Sequence, residues 1–243
     1  MAVGGVPVKI SLEVPSGAVR PRELLPVFRA VAETVVRRGV EEATRGGGTV
    51  SCRKGCGACC RQLVPLAPVE AAAIAHLVDA LPEPRREAVR QRFREARARL
   101  AAEGLAERLG GTSGPSSHEE VQELGLAYFR LGIPCPFLED ESCSIHPDRP
   151  IACREYLVTS PASECSRPSA AGVRTVPVGR GAWLAVGAAM APPGTRRTPW
   201  VALTLALAPE LSEASSQLDE PRPAEEVVEA FLRQLGSPGR RTG

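Results

Sequence analysis

The chain has 243 residues and a net charge of +2, and its 30 basic residues are 28 Arg with only Lys9 and Lys54. A chain of this length buries a sizeable core without covalent staples. The near-neutral balance excludes a strong field directed at nucleic acid or an acidic membrane, and 4 % aromatics are too few for a base-stacking surface.

The N-terminal "MAVGGVPVKISLEVPSG" has no apolar run long enough for a secretory signal. No stretch reaches the roughly 18 apolar residues of a membrane span. "AWLAVGAAMAPPG" and "WVALTLALAPE" come nearest and both end at proline. The expectation is a soluble cytoplasmic protein with no membrane and no nucleic-acid partner.

Residues 6–14, "VPVKISLEV", alternate apolar and polar and predict a strand. A helix follows, with Leu24, Phe28, Val31 and Val35 at helical spacing, Pro26 in its first turn and the glycine run from Gly46 at its end. A second helix is predicted over about 67–81, opening with "APVE", carrying Ile74, Leu77 and Leu81 on one side, and closed by Pro82 and Pro84. A third is predicted over about 84–109, with Val89, Phe93, Ala96 and Leu100 as its apolar stripe. Its other faces carry Arg85, Arg86, Arg90, Arg92, Arg94, Arg97 and Arg99, which read as a solvated helix face.

"GGTSGPSS" (110–117) is a linker or loop by composition, and a helix over about 118–131 follows it. "VRTVPV" (173–178) predicts a strand, whereas 182–208 is ambiguous between strands and helix. "DEPRPAEEVVEAFLRQLG" predicts a closing amphipathic helix with Pro223 in its first turn and Gly236 at its cap. The expected fold is mainly α with a few short strands and an irregular cysteine-rich metal-binding region. It is read as a single domain over 1–243. A cysteine core at 52–165 is flanked by an N-terminal strand-helix (6–45) and a C-terminal segment (172–236).

The chemistry lies in eight cysteines in two groups of four: Cys52, Cys56, Cys59 and Cys60, spaced C-x3-C-x2-C-C, then Cys135, Cys143, Cys153 and Cys165. A hairpin of the second and third helices can bring the groups together. In a reducing compartment clustered thiols bind metal more readily than they form disulfides. Thiolates are soft ligands that select zinc, copper(I) or iron–sulfur clusters; four-cysteine zinc and a four-cysteine iron–sulfur cluster both suit them. Gly55 and Gly57 let the backbone wrap closely around sulfur. A helix starting near Gly57 would put Cys56 and Cys60 on one face and turn Cys59 to another, so Cys59 and Cys60 do not serve one ion equally. Eight thiolates with two zinc ions leave a charge of about −4, which Arg53, Lys54, Arg61, Arg149 and Arg154 are placed to offset.

The C-x3-C-x2-C-C string, with "CPFL", "CSIHPDRPIACREY" and "TSPASEC" after it, resembles the YkgJ-type cysteine-cluster family, a zinc- or iron-chelating domain. The resemblance covers about 52–165 and takes in Pro136, Phe137, Leu138, Ile145, Arg149, Pro150 and Arg154; Cys165 belongs to a common variant of the pattern. It implies metal chelation by the cysteines. Some flagellin lysine methylases carry the same motif, which keeps an enzyme in view. His146 is read as packing near the site rather than as a ligand, and His76 and His118 as ordinary. Arg149 and Arg154 are expected to donate to sulfur or to Glu139 and Asp140. The spacing of Cys52, Cys56 and Cys59 also matches radical S-adenosylmethionine enzymes. Ala58 before the third cysteine, and the absence of βα alternation, depart from that pattern.

Three functions emerge. The first is a metal-binding protein holding zinc or an iron–sulfur cluster through all eight cysteines. The second is a metalloenzyme, S-adenosylmethionine-dependent or redox. The third is a zinc-stabilised module for a protein partner of unknown kind.

Overall fold

Pro21–Leu24 forms a 3-10 turn that leads into α1 (Leu25–Arg45). Pro26 lies in the first turn of α1, where a missing N–H leaves no bond unmade. At the other end the Gly46 N–H donates to the Glu42 carbonyl at 3.0 Å. The structure is a computed structural model that describes residues 2–3, 6–7, 11–53, 55–110, 118–167, 173–179, 181–191, 195, 198–211 and 218–237.

The chain is mainly α. Beyond α1 the helices are α2 (Pro68–Asp79), α3 (Arg85–Ala102), α4 (Ala106–Leu109), α5 (His118–Arg130), α6 (Ile151–Glu155), α7 (Ala162–Cys165), α8 (Ala182–Met190) and α9 (Ala224–Gly236). The single helix predicted over 84–109 is broken. Gly104 takes φ +65°, and the Leu105 N–H turns back to the Leu100 carbonyl at 2.9 Å, the bond that closes a helix on a left-handed residue. Pro223 immediately precedes α9, and Gly236 is its last residue, so the cap falls on Ser237.

The strands among the described residues are two-residue antiparallel pairs: Ala2–Val3 with Val6–Pro7, Ala18–Val19 with Arg222–Pro223, Pro65–Leu66 with Val201–Ala202, and Leu138–Glu139 with Ser142–Cys143. The strand predicted over 6–14 is reduced to Val6–Pro7; 11–14 is irregular, and 8–10 lie outside the described residues. Alternation there has a different cause: Leu12 and Val14 pack on the core with no ladder beside them. The strand predicted over 173–178 shrinks to one bridge, Thr175 to Val158. The ambiguous stretch 182–208 resolves into α8, the pairing Val201–Ala202 and a 3-10 turn at Leu203–Leu205. Of the linker, 111–117 lies outside the described residues.

Two apolar clusters hold these elements. In the first, the predicted α3 stripe of Val89, Phe93, Ala96 and Leu100 packs with Ile74 and Val78 of α2, Leu124 and Tyr128 of α5, and the Val201–Ala206 segment. In the second, α1, α8 and α9 meet, with the Phe28 and Phe231 ring centroids 4.6 Å apart. α2 contributes to both clusters: Ala71, Ile74 and Val78 to one, Val69 to the other. Among the described residues no helix is long and apolar enough to cross a membrane.

The arginine face of α3 is solvated as predicted, and most of its charges meet carboxylates. Arg90 pairs with Asp79 at 2.7 Å, Arg94 with Glu87 at 2.5 Å, Arg97 with Glu210 at 2.9 Å and Arg92 with Glu139 at 3.1 Å.

Candidate metal centre

The first cysteine group lies on an irregular loop. Gly55 takes φ +78°, a conformation that favours glycine, and Ala58–Arg61 makes one 3-10 turn. A helical turn does start at Gly57, but it is a four-residue 3-10 segment that leaves Cys56 outside it. The Cys60 N–H closes a turn on the Gly57 carbonyl at 3.0 Å. Gly57 is also a point of close approach. A Cβ there would stand 2.6 Å from Glu141 Oε2 and 2.9 Å from Leu138 Cδ1, so the Leu138–Cys143 hairpin lies directly on this loop. Arg61 fastens the contact, donating to Glu141 Oε1 at 2.6 Å and to the Gly57 carbonyl at 3.1 Å.

The second group arrives on four separate pieces of chain. The Cys135 N–H donates to the Cys60 carbonyl at 2.7 Å, a direct tie between the two groups. Cys143 lies on the hairpin, Cys153 on α6 and Cys165 on α7. Gln62 Nε2 donates to the Cys165 carbonyl at 3.1 Å, and the Val158 N–H reaches Cys52 Sγ at 3.5 Å. All eight cysteines are free thiols.

Their electrostatics shows how close the groups have come. Burial raises the Cys153 thiol well above its ordinary value, and Cys135, Cys59 and Cys143 add to the shift. Burial pushes Cys135 up to about 12, with contributions from Cys143 and Cys59. It pushes Cys165 up to about 11, with contributions from Cys59, Cys52 and Cys56. Cys52 and Cys143 are raised by burial as well, and both feel Cys59. A hydrogen bond between the neighbouring thiols holds Cys59 down and Cys60 up. Cys59 therefore stands within electrostatic reach of both groups.

The guanidinium of Arg149 favours the thiolate at Cys52, Cys59 and Cys143. Its Nε is buried with no hydrogen-bond partner, an orphan donor that an anionic sulfur centre would satisfy. Arg154, expected to reach sulfur, Glu139 or Asp140, takes other partners. Arg154 binds Glu33 and the carbonyls of Pro147 and Arg149, while Glu139 belongs to Arg92 and Arg85 of α3. Arg61 is spent on Glu141. Lys54 lies outside the described residues, and so does the side chain of His118. His146 is exposed at the start of a short 3-10 turn.

Sequence reasoning missed two acids. Glu70 is 2 % exposed; its Oε1 accepts the Ile151 N–H at 2.9 Å and its Oε2 the Ala67 N–H at 3.2 Å. Glu155 Oε1 accepts the Ala182 N–H at 2.5 Å, and its Oε2 accepts the Trp183 N–H at 3.3 Å. Burial raises both carboxyls, Glu155 to about 7. Glu70 anchors the first residue of α6 and Glu155 the last, so together they hold the helix that presents Cys153. A signal existed for Glu70, an acid one helical turn before Ile74 on the apolar side of α2. None existed for Glu155.

Zinc or iron suits this donor set by type, since all eight side chains are free thiols, soft ligands for either metal. Among the described residues no three Cys, His, Asp or Glu side chains stand as a ready ion site. Residues 51–170 match the model of the CxxCxxCC family, described as a "putative zinc- or iron-chelating domain". Neither the comparison with curated proteins nor that with solved structures gives a match.

Proposed function

We propose that this protein, which belongs to the CxxCxxCC family through residues 51–170, holds zinc or an iron–sulfur cluster with Cys52, Cys56, Cys59, Cys60, Cys135, Cys143, Cys153 and Cys165. The observation that carries the reading is the 2.7 Å hydrogen bond from the Cys135 N–H to the Cys60 carbonyl, which joins the two cysteine stretches, with all eight thiols free and the Nε of Arg149 buried without a partner. Crowded thiols raise one another's pKa, and a bound cation reverses that cost by stabilising every thiolate it touches. Zinc would supply a Lewis acid or a structural tie; an iron–sulfur cluster would supply one-electron transfer. Free thiols of this kind suit the cytoplasm. We read 1–243 as one unit, because α2 is shared by both apolar clusters.

A second reading, a metalloenzyme, is favoured by a cavity bordered by Cys59 and Cys153. The test of the main reading is to purify the protein without air, measure zinc, iron and acid-labile sulfide per chain, and record a visible spectrum. Iron with matching sulfide and a brown colour establishes a cluster. A colourless protein with one or two zinc ions establishes zinc. Neither metal, with all thiols free, overturns chelation.

A further inference from the structure

Two of the α3 arginines do more than meet a carboxylate. Residues 85, 89, 92 and 96 recur at i, i+4, i+7 and i+11 and form one stripe of the helix. Val89 and Ala96 in that stripe are buried in the first apolar cluster. Arg85 and Arg92 therefore leave α3 beside its packed face, where the chain from Cys135 to Ser144 lies against them.

Each guanidinium holds one arm of that hairpin. Arg92 Nη1 donates to the Pro136 carbonyl at 3.0 Å and to Glu139 Oε1 at 3.1 Å. Arg85 Nη2 donates to the Ser144 carbonyl at 3.3 Å and stands 3.7 Å from Glu139 Oε2. One arginine thus grips the chain just past Cys135, the other just past Cys143, and Glu139 takes a nitrogen from each. Beside them the Phe93 ring of α3 meets Phe137 edge-on, with centroids 5.6 Å apart.

The gripped backbone sets its two thiols. The Leu138 N–H turns back to the Cys135 carbonyl at 2.9 Å, and Leu138 pairs with Cys143 across the hairpin. The two cysteines therefore come to the same end of the hairpin. The Phe137 N–H donates to the sulfur of Cys135, and the Ile145 N–H to that of Cys143. Both donors belong to residues buried in the first cluster. Hydrogen bonds of this kind orient ligands and tune a metal-bound sulfur.

We propose that Arg85 and Arg92 are positioning residues that hold Cys135 and Cys143 as a preset two-thiol half of the metal site. The inference rests on the metal reading for the ion that this half would take; the grip itself needs no ion. The two arginine side chains are 41 % and 39 % exposed. Their bonds thus count for little in global stability, and for more in where the hairpin stands.

The test uses the full metal-free chain, as the parent and as the double variant Arg85→Gln/Arg92→Gln. Hydrogen exchange is read over residues 136–144. Alkylation of each cysteine by iodoacetamide is then read by mass spectrometry as free Zn²⁺ is raised. The double variant is expected to exchange at least about fivefold faster over 136–144. It should need at least about fivefold more free zinc to protect Cys135 and Cys143, while the metal-free Tm falls by no more than about 4 °C. Arg92→Lys, whose ammonium can replace the single Nη1 that serves both acceptors, should need less zinc than Arg92→Gln. Arg97→Gln, on the solvated side of α3, should match the parent. Exchange equal to the parent's overturns the grip. Faster exchange with unchanged zinc demand, the same loss in Arg97→Gln, or a metal-free Tm lower by about 10 °C overturns the positioning role. Faster exchange in the variant, with no cysteine of the parent protected by zinc, sinks zinc chelation and leaves the grip standing.

Discussion

The arginines of α3 and the cysteines of the candidate centre are both dense runs of one chemical type, and the fold treats them oppositely. Arg90, Arg92, Arg94 and Arg97 fan out, each to its own carboxylate. The cysteines share a cation instead: the field of Arg149 reaches Cys52, Cys59 and Cys143. A run whose members each find an opposite partner is a solubility device worth little to stability. A run whose members disfavour one another's anions would, on the proposed reading, be completed by positive charge from outside the chain. Sequence density alone does not separate these cases; the destination of each side chain does.

The largest effect is expected at Cys153. Replacing it with Ser is expected to lower metal content and drop Tm by at least about 10 °C, with a smaller fall for Cys165→Ser, read by metal analysis and calorimetry. If Cys153→Ser keeps its metal, the gathered thiols are mere packing and the contrast collapses.

The next effect in size is a pH dependence. Burial raises the folded-state pKa of Glu155 from 4.5 to about 7. The folded form therefore holds its proton more tightly, and stability from this group is full below pH 4.5 and lost as pH rises to about 7. At most about 3 kcal/mol is involved. Denaturant titration of metal-free protein across pH 4.5–7 should show the decline, and Glu155→Gln should flatten it. An unchanged slope in the variant would remove Glu155 from the support of α6.

Gly57→Ala probes the loop without removing a thiol. The new Cβ meets Glu141 and Leu138 at under 3.0 Å, and the forced shift is expected to cost about 1–3 kcal/mol. Metal should also be lost at a lower chelator concentration than in the parent. The smallest effect belongs to the other region. Arg97→Ala breaks an exposed ion pair to Glu210 and should change stability by less than about 0.5 kcal/mol; a larger loss would mean that the α3 arginines are not simply a solvated face.

Helix periodicity was legible wherever a stripe faced a core. Val89, Phe93, Ala96 and Leu100 are buried as their spacing requires, and α1 ends at Gly46 as expected. The break at Gly104 was not, because glycine in a helical pattern reads the same whether it is tolerated or left-handed. Strands were poorly legible. Leu12 and Val14 alternate because the core takes every second side chain, and alternation carries no information about a pairing partner. The candidate centre was legible as a set of thiols but not in its supports. Arg154 and Glu33 are 121 residues apart, and Glu155 meets α8 27 residues on. Such pairings follow from tertiary packing, which one sequence does not display.

The hydrogen bond from Cys135 to the Cys60 carbonyl has a consequence for assembly. It seals a loop that contains α2 through α5, and closing so long a loop costs entropy that only packing of the enclosed helices offsets. The two halves of the thiol set therefore stay together only while the helices between them are packed. On the proposed ligand set, metal uptake would work as an inspection step: a chain misfolded anywhere between Cys60 and Cys135 would present two half-sites and hold its ion poorly.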